Sequence, residues 1–180
     1  MVAFEPQVWR LRSGRSVTVR VVRADDGARL QDAVRRLSDE SRYMRFMAYT
    51  RELSPQLLAR VTHPSAGREL RLIAVTPDGE GQTIVAAASY VAIGDRDCEF
   101  AVAVADEWQR LGLAPRLLEA LMQSARANGF ERMDGYVLAS NARMLALARR
   151  MGFTPVKNPE DPTVRVIRRD LTMPAGRGER

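Results

Sequence analysis

The sequence is short of the residues that form disulfides, metal sites and catalytic triads. Among its 180 residues are one cysteine, Cys98, and one histidine, His63. An internal disulfide therefore cannot form, no zinc-ligand spacing is present, and no Ser-His-Asp set is available. We expect no metal, an exposed and chemically inert His63, and a packed, unreactive Cys98.

Lysine is almost absent, since Lys157 is the only one and arginine supplies nearly all of the net charge of +6. The arginines are scattered, without an aromatic-interleaved basic stripe, which argues against nucleic acid as a partner.

Long apolar runs are also lacking, because no stretch approaches the roughly 18 residues of a membrane span. Glu5 and Pro6 stand where a signal peptide would have its apolar core. We therefore expect a cytoplasmic location and no membrane partner.

The remaining patterns predict one α+β domain with a mixed, mostly antiparallel central sheet flanked by helices. The length suits a single domain, and we expect an N-terminal extension at 1–15, the domain at 16–171 and a disordered tail at 172–180. Alternation and β-branched residues predict strands at 16–22, 70–76, 83–93, 97–105, 133–138 and 163–171. Periodic apolar residues and capping signals predict helices near 27–37, 39–47, 54–61, 114–125 and 140–151.

The turn between the strand at 97–105 and the helix at 114–125 has the features of an anion-binding site. A helix start leaves about four N–H groups without intrahelical partners and adds a partial positive charge. Gly112 permits close backbone approach or positive φ, Ala114 is small, and Arg110 can add a charged contact. By itself this turn is also compatible with an ordinary strand-to-helix connection.

Two motifs together carry a more specific likeness. The first is Gln109-x-x-Gly112-x-Ala114, and the second is a helix that asparagine opens and Gly152-Phe153 closes, over residues 140–153. Both resemble signatures of the GNAT superfamily of N-acetyltransferases, over roughly residues 17–171. The family often has a basic residue where Leu111 stands, and many members have a tyrosine general acid where Ala148 stands.

This resemblance implies a GNAT-like fold, acetyl-CoA as cosubstrate and a set of cofactor-binding residues. The backbone of Val102 and Val104 would pair with the pantetheine arm, and Asn141 would border the cofactor. A gap between the strands at 97–105 and 132–138 would admit the thioester. The pyrophosphate would lie on the turn formed by Gln109, Arg110, Leu111, Gly112, Leu113 and Ala114.

Glu99 is the candidate general base, because it lies in an apolar run where burial can raise its pKa toward neutrality. Strand alternation does not decide which face of the sheet it occupies; its role follows from likeness to GNAT members with a glutamate at this place. An equally simple interpretation is a solvated glutamate on a half-exposed strand.

Three further segments resemble the acetyltransferase domain of bacterial protein lysine acetyltransferases. They are 38–46, 52–54 and 68–70, and they imply a protein lysine as acceptor, with Tyr43, Arg45 and Phe46 bordering its site. Other acceptors stay open: a small amine such as a polyamine or an antibiotic, or a protein N-terminus. A non-catalytic acyl-CoA-sensing module on the same fold is a further alternative.

Overall fold

The structure is a computed structural model that describes residues 4–79 and 81–173. The strands are β1 (Gln7–Arg10), β2 (Ser16–Val21), β3 (Glu69–Asp78), β4 (Gly81–Ala92), β5 (Asp97–Val104), β6 (Arg132–Leu138), β7 (Thr154–Lys157) and β8 (Val164–Asp170). The α-helices are α1 (Gly27–Arg36), α2 (Asp39–Phe46), α3 (Pro55–Thr62), α4 (Leu113–Ala127) and α5 (Ala142–Arg150). Single 3₁₀ turns occupy Ala24–Asp26 and Asp106–Trp108.

The strands form one sheet in the order β1-β2-β3-β4-β5-β6-β8-β7. Every neighbouring pair is antiparallel except β5 and β6, which run parallel because α4 returns the chain across the sheet between them. The predicted α+β architecture with a mixed, mostly antiparallel sheet is confirmed.

Helices cover both faces of this sheet. On one face α4 packs on β4 and β5, and its side chains Leu117, Leu118 and Leu121 are fully buried in the main core. On the other face α1 and α3 cover a smaller apolar cluster that includes Leu30 and Ile73. The 3.6-residue apolar periodicity of α4 explains why one side of that helix can be completely removed from water.

Asp26 has a different role from the helix cap that its position suggests. Its side chain makes no capping hydrogen bond to α1, and its carboxylate instead accepts two hydrogen bonds from Arg20, at 2.7 and 2.9 Å. Burial raises the pKa of Asp26, but the hydrogen bonds from Arg20 and from the Arg23 amide outweigh it and the net pKa is lowered. A buried ion pair thus fixes the start of α1 against β2.

Two short edge strands, β1 and β7, were not predicted from the sequence. β1 lies within residues 1–15 and pairs with β2, while β7 pairs with β8 at the opposite edge. Each has only four residues, and β7 is exposed throughout. The tail prediction falls mainly on 174–180, which lie outside the described residues.

Within residues 4–79 and 81–173, none of the helices combines the length and apolar character that crossing a lipid bilayer requires. The same residues hold no group of three or more His, Cys, Asp or Glu side chains arranged for a metal ion.

Candidate functional site

The sheet opens at the junction where β5 and β6 run parallel. β5 and β6 are paired at Asp97, Cys98 and Glu99, opposite residues 132–134, and the pairing ends there. Beyond that point β5 continues against β4 and β6 continues against β8. A gap between the two strands therefore lies where the sequence resemblance implied one.

The ring of Phe100 fills the base of this gap on the α4 face. A Cβ atom added to Gly135 would lie 2.4 Å from the Phe100 ring, so the ring occupies the space that a side chain at 135 would need. Phe100 also packs against Phe153, with ring centroids 5.1 Å apart. The packing of the Phe100 ring on Gly135 thus brings β5 and β6 into apolar contact at the point where they stop pairing.

The open edge of β5 presents backbone hydrogen-bonding groups to the gap. The Ala105 amide donates to Val85 and the Asp97 carbonyl accepts from Ile93, both on the β4 side. Because antiparallel pairing alternates, the odd-numbered residues of β5 bond to β4, and the N–H and C=O groups of Val102 and Val104 point toward β6. With no β6 pairing there, both backbone groups of Val102 and the N–H of Val104 are available to an extended ligand, whereas the Val104 carbonyl accepts from the Gln109 side chain.

The turn after β5 is held rigidly at the start of α4. Trp108 is buried and belongs to the main core. The Gln109 side-chain amide donates to Ser41 Oγ and to the Val104 carbonyl, both at 3.2 Å. Gly112 is the N-cap residue of α4 with φ of 90°, a conformation that glycine adopts without strain. The first N–H groups of α4 are thereby left open toward the groove.

One continuous groove of about 1300 Å³ connects the gap, the turn and α5. Asn141 lines it at the start of α5, where its side chain accepts from the Met144 amide at 3.0 Å. The expected site residues that line the groove are Glu99, Val102, Val104, Gln109, Arg110, Gly112, Leu113, Ala114 and Asn141. Leu111 is the exception, because it packs against the main core instead.

Glu99 lies on the groove at the last residue pair before β5 and β6 part. It is half-buried, and burial raises its pKa. The Arg45 guanidinium, carried by α2, opposes this change, the Asp134 carboxylate adds to it, and the net pKa is above its usual value. A carboxylate so placed can accept a proton at a pH closer to neutrality than a solvated glutamate can.

Asp134 faces Glu99 across the parallel pair and is itself buried. Its carboxylate accepts two hydrogen bonds from Arg168 on β8, from Nε at 2.9 Å and from Nη2 at 2.7 Å. Arg168 therefore forms an ion pair with the carboxylate next to Glu99. This pair could not be predicted from the sequence, because the register of three separate strands brings it next to Glu99.

Helix α2 closes the groove on the Glu99 side. Arg45 and Phe46 line the groove, whereas the exposed Tyr43 does not and instead contacts Tyr49. Burial lowers the pKa of Arg45, the Glu99 charge raises it and the Arg71 charge lowers it further. Of the three residues expected to border an acceptor, two lie in the groove.

Two residues without an expected part in the chemistry, Cys98 and Ala148, are buried. Burial raises the pKa of Cys98 to about 12, with the Asp134 and Asp97 charges adding to the effect. The thiol is fully buried and is no nucleophile at neutral pH. Ala148, at the place of the family's frequent tyrosine, is also buried and supplies no acid.

Comparisons with known proteins agree with this geometry. A family model described as acetyltransferase (GNAT) family matches residues 32–153. Acetyltransferase PA5475 of Pseudomonas aeruginosa is 34% identical over 154 residues, which cover 85% of this chain and 83% of the relative.

Solved structures agree as well. The crystal structure of the GNAT domain of S. lividans PAT superposes with a TM-score of 0.83 at 30% identity, covering 92% of this chain and 96% of that one. The yncA protein of Salmonella typhimurium, a putative acetyltransferase solved with its cofactor acetyl-CoA, shares the fold at 19% identity, with a TM-score of 0.67 and coverage of 89% and 96%. The chain belongs to the GNAT family of acetyltransferases, and its acetyl donor is acetyl-CoA.

Proposed function

We propose that this enzyme acetylates the side-chain amine of a protein lysine by direct attack on acetyl-CoA, with Glu99 as general base. The observation that carries the proposal is the position of Glu99. It is half-buried, with a raised pKa, and it lies where β5 and β6 part to form the groove. A cytoplasmic location belongs to the same proposal.

A base is needed because the acceptor is mostly protonated. A lysine amine with a pKa of about 10.4 is more than 3 pKa units from neutrality, which corresponds to a deficit of about 4 kcal/mol for an attacking amine. Glu99, directly or through one water, accepts the proton that the ammonium must lose. The nearby Arg45 guanidinium favours a neutral over a charged amine at this position.

The reaction forms one bond and breaks one. The neutral amine nitrogen attacks the thioester carbonyl carbon, and the resulting tetrahedral intermediate has its negative charge on oxygen. The backbone N–H groups of Val102 and Val104, which point into the gap, stabilise this oxyanion, at about 3 kcal/mol per donor. Collapse of the intermediate breaks the carbon–sulfur bond, and the CoA thiolate takes up the proton that Glu99 had accepted, directly or through water. The nitrogen then loses its second proton to the carboxylate so regenerated or to water.

Two likenesses support a lysine acceptor. The segments 38–46, 52–54 and 68–70 resemble bacterial protein lysine acetyltransferases, and α2 at 39–46 borders the Glu99 side of the groove. The identity with the GNAT domain of S. lividans PAT extends over nearly the whole chain. A small amine and a protein N-terminus are the competing acceptors.

The test is incubation with labelled acetyl-CoA and a panel of proteins, polyamines and aminoglycosides, followed by mass spectrometry to locate the acetyl group. Label on lysine side chains is the expected result. Label only on small amines or on protein N-termini would replace the lysine assignment. Binding of acetyl-CoA with no CoA release from any acceptor would indicate an acyl-CoA-sensing module instead.

Glu99→Gln tests the base. We expect acetyl-CoA binding to persist and kcat at neutral pH to fall about 10²- to 10⁴-fold. Partial recovery is expected at higher pH, because more of the amine is then neutral without assistance. Glu119→Gln, at an exposed position of α4 outside this groove, is the matched control. Unchanged turnover in Glu99→Gln would remove Glu99 from the mechanism.

A further inference from the structure

The N-terminal hairpin reaches the phosphate turn from the other end of the chain. Its turn connects β1 to β2 and is closed by hydrogen bonds from the Leu11 amide to the Arg15 carbonyl, at 2.8 Å, and from the Gly14 amide to the Leu11 carbonyl, at 3.0 Å. Leu11 is buried in the main core. The hairpin is therefore a built part of the fold at the site.

Two cation–π contacts fix the hairpin beside the groove. The Arg15 guanidinium lies over the Trp108 ring, 4.6 Å from its centroid. The Arg116 guanidinium of α4 lies 4.4 Å from the centroid of Trp9, and it also donates to the Arg10 carbonyl at 3.0 Å. Contacts on both sides of the turn thus define the position of the residue between them, Arg12.

Arg12 lies directly over the turn that begins α4. Its Nε is 3.9 Å from the place that a Cβ atom would occupy on Gly112, and it is the nearest neighbouring atom there. Arg12 also lines the acetyl-CoA groove. Among the described residues it forms no ion pair and no hydrogen bond through its side chain, whereas Arg168 and Arg20 are committed to carboxylates. A guanidinium without a carboxylate partner faces the helix start that is open to an anion.

We propose that Arg12 binds the pyrophosphate of acetyl-CoA, together with the first N–H groups of α4. A guanidinium presents parallel N–H donors that match phosphate oxygens, and such charge-assisted hydrogen bonds are among the stronger ones in proteins. Arg12 supplies the positive charge that Leu111, packed into the core, does not. The proposal depends on the acetyl-CoA site and not on the role of Glu99.

The test is the affinity of purified Arg12→Gln and Arg12→Lys for acetyl-CoA, measured by isothermal titration calorimetry. We expect Kd to rise about tenfold in Arg12→Gln, as for loss of a hydrogen bond to a charged group. Kd should rise by less in Arg12→Lys, which keeps the positive charge but not the parallel N–H donors of the guanidinium. Arg60→Gln removes the same charge from α3, outside the groove, and should leave Kd unchanged. Because Arg12 is exposed and unpartnered, Tm without ligand should also be unchanged.

Acetyl-dephospho-CoA, which lacks the 3′-phosphate but keeps the pyrophosphate, separates the two phosphate groups. Arg12→Gln should lose the same factor in affinity for both ligands. A loss confined to acetyl-CoA would assign Arg12 to the 3′-phosphate and overturn the pyrophosphate contact. Equal affinities of wild type and Arg12→Gln for both ligands would overturn the proposal entirely, as would an equal loss in Arg60→Gln.

Discussion

The carboxylate of Glu99 lies between opposite charges, with Arg45 on α2 lowering its pKa and Asp134 on β6 raising it. Arg168 holds Asp134 through two hydrogen bonds, so the effect of Asp134 on Glu99 depends on a residue one strand further away. The pKa of the proposed base can therefore be changed by substituting a neighbouring charged residue, without substituting Glu99 itself.

Substitutions at this ion pair should move the pH dependence of kcat/KM in opposite directions. Arg168→Gln leaves the Asp134 charge uncompensated, so the pKa of Glu99 rises and the acidic limb of the profile moves to higher pH. Asp134→Asn removes a charge that raises the pKa of Glu99, and the acidic limb moves to lower pH. The measurement is kcat/KM across pH, with Arg165→Gln on β8 as control because its side chain bonds only to backbone carbonyls. Shifts in the same direction would contradict this electrostatic account.

Among single residues, the sequence predicts Glu99 and the turn at 109–114 as parts of the site, and both line the groove, but it does not predict Arg12. The motif Gln109-x-x-Gly112-x-Ala114 is local, and the structure shows the helix start that it predicts. Arg12 is far from that motif along the chain and reaches Gly112 through the pairing of a four-residue edge strand. A short exposed strand leaves no alternation long enough to be read from sequence.

Among the elements, β6 carries a constraint that its length and composition do not reveal. Gly135 lies opposite the Phe100 ring at the position where β5 and β6 separate. The fully apolar helix face of α4 was predictable from its periodicity, since that pattern is repeated over four turns. The separation of two strands was not, because it depends on contacts between residues that are distant in sequence.

Gly135→Ala should destabilise the protein by about 1 to 3 kcal/mol, since the new methyl overlaps the Phe100 ring and the packed core cannot expand freely. The double variant Gly135→Ala, Phe100→Leu should recover part of that loss, because the smaller side chain leaves room for the methyl. Urea unfolding of the single and double variants measures both effects. If the double variant is less stable than Gly135→Ala by the full cost of Phe100→Leu alone, overlap with the Phe100 ring is not the cause of the lost stability.

In the whole molecule, the groove divides the sheet into two parts, β1 to β5 and β6 to β8. Among the described residues, backbone hydrogen bonding joins them at Asp97, Cys98 and Glu99 and, just before these pairs, through the Glu131 and Arg132 amides, which donate to the Arg96 carbonyl. We expect acetyl-CoA to bind where this pairing is missing, because the family likeness implies that its pantetheine arm takes the place of a strand along β5. The cofactor would then add to the sheet as well as occupy a pocket.

Amide hydrogen exchange tests this arrangement residue by residue. The Val102 and Val104 N–H groups point into the gap, so they should exchange rapidly in the free protein. With saturating acetyl-CoA, their exchange should slow by about tenfold or more. The Ala101 and Ala103 N–H groups already bond to β4 and should be protected in both states. Ligand binding also stabilises the whole protein, and this slows every amide that exchanges by global unfolding. Comparing the two pairs of residues separates that general effect from pairing with the cofactor. If Val102 and Val104 are as protected as Ala103 before acetyl-CoA is added, their amides are not open to the cofactor; if they stay unprotected afterwards, the pantetheine arm does not bind along β5.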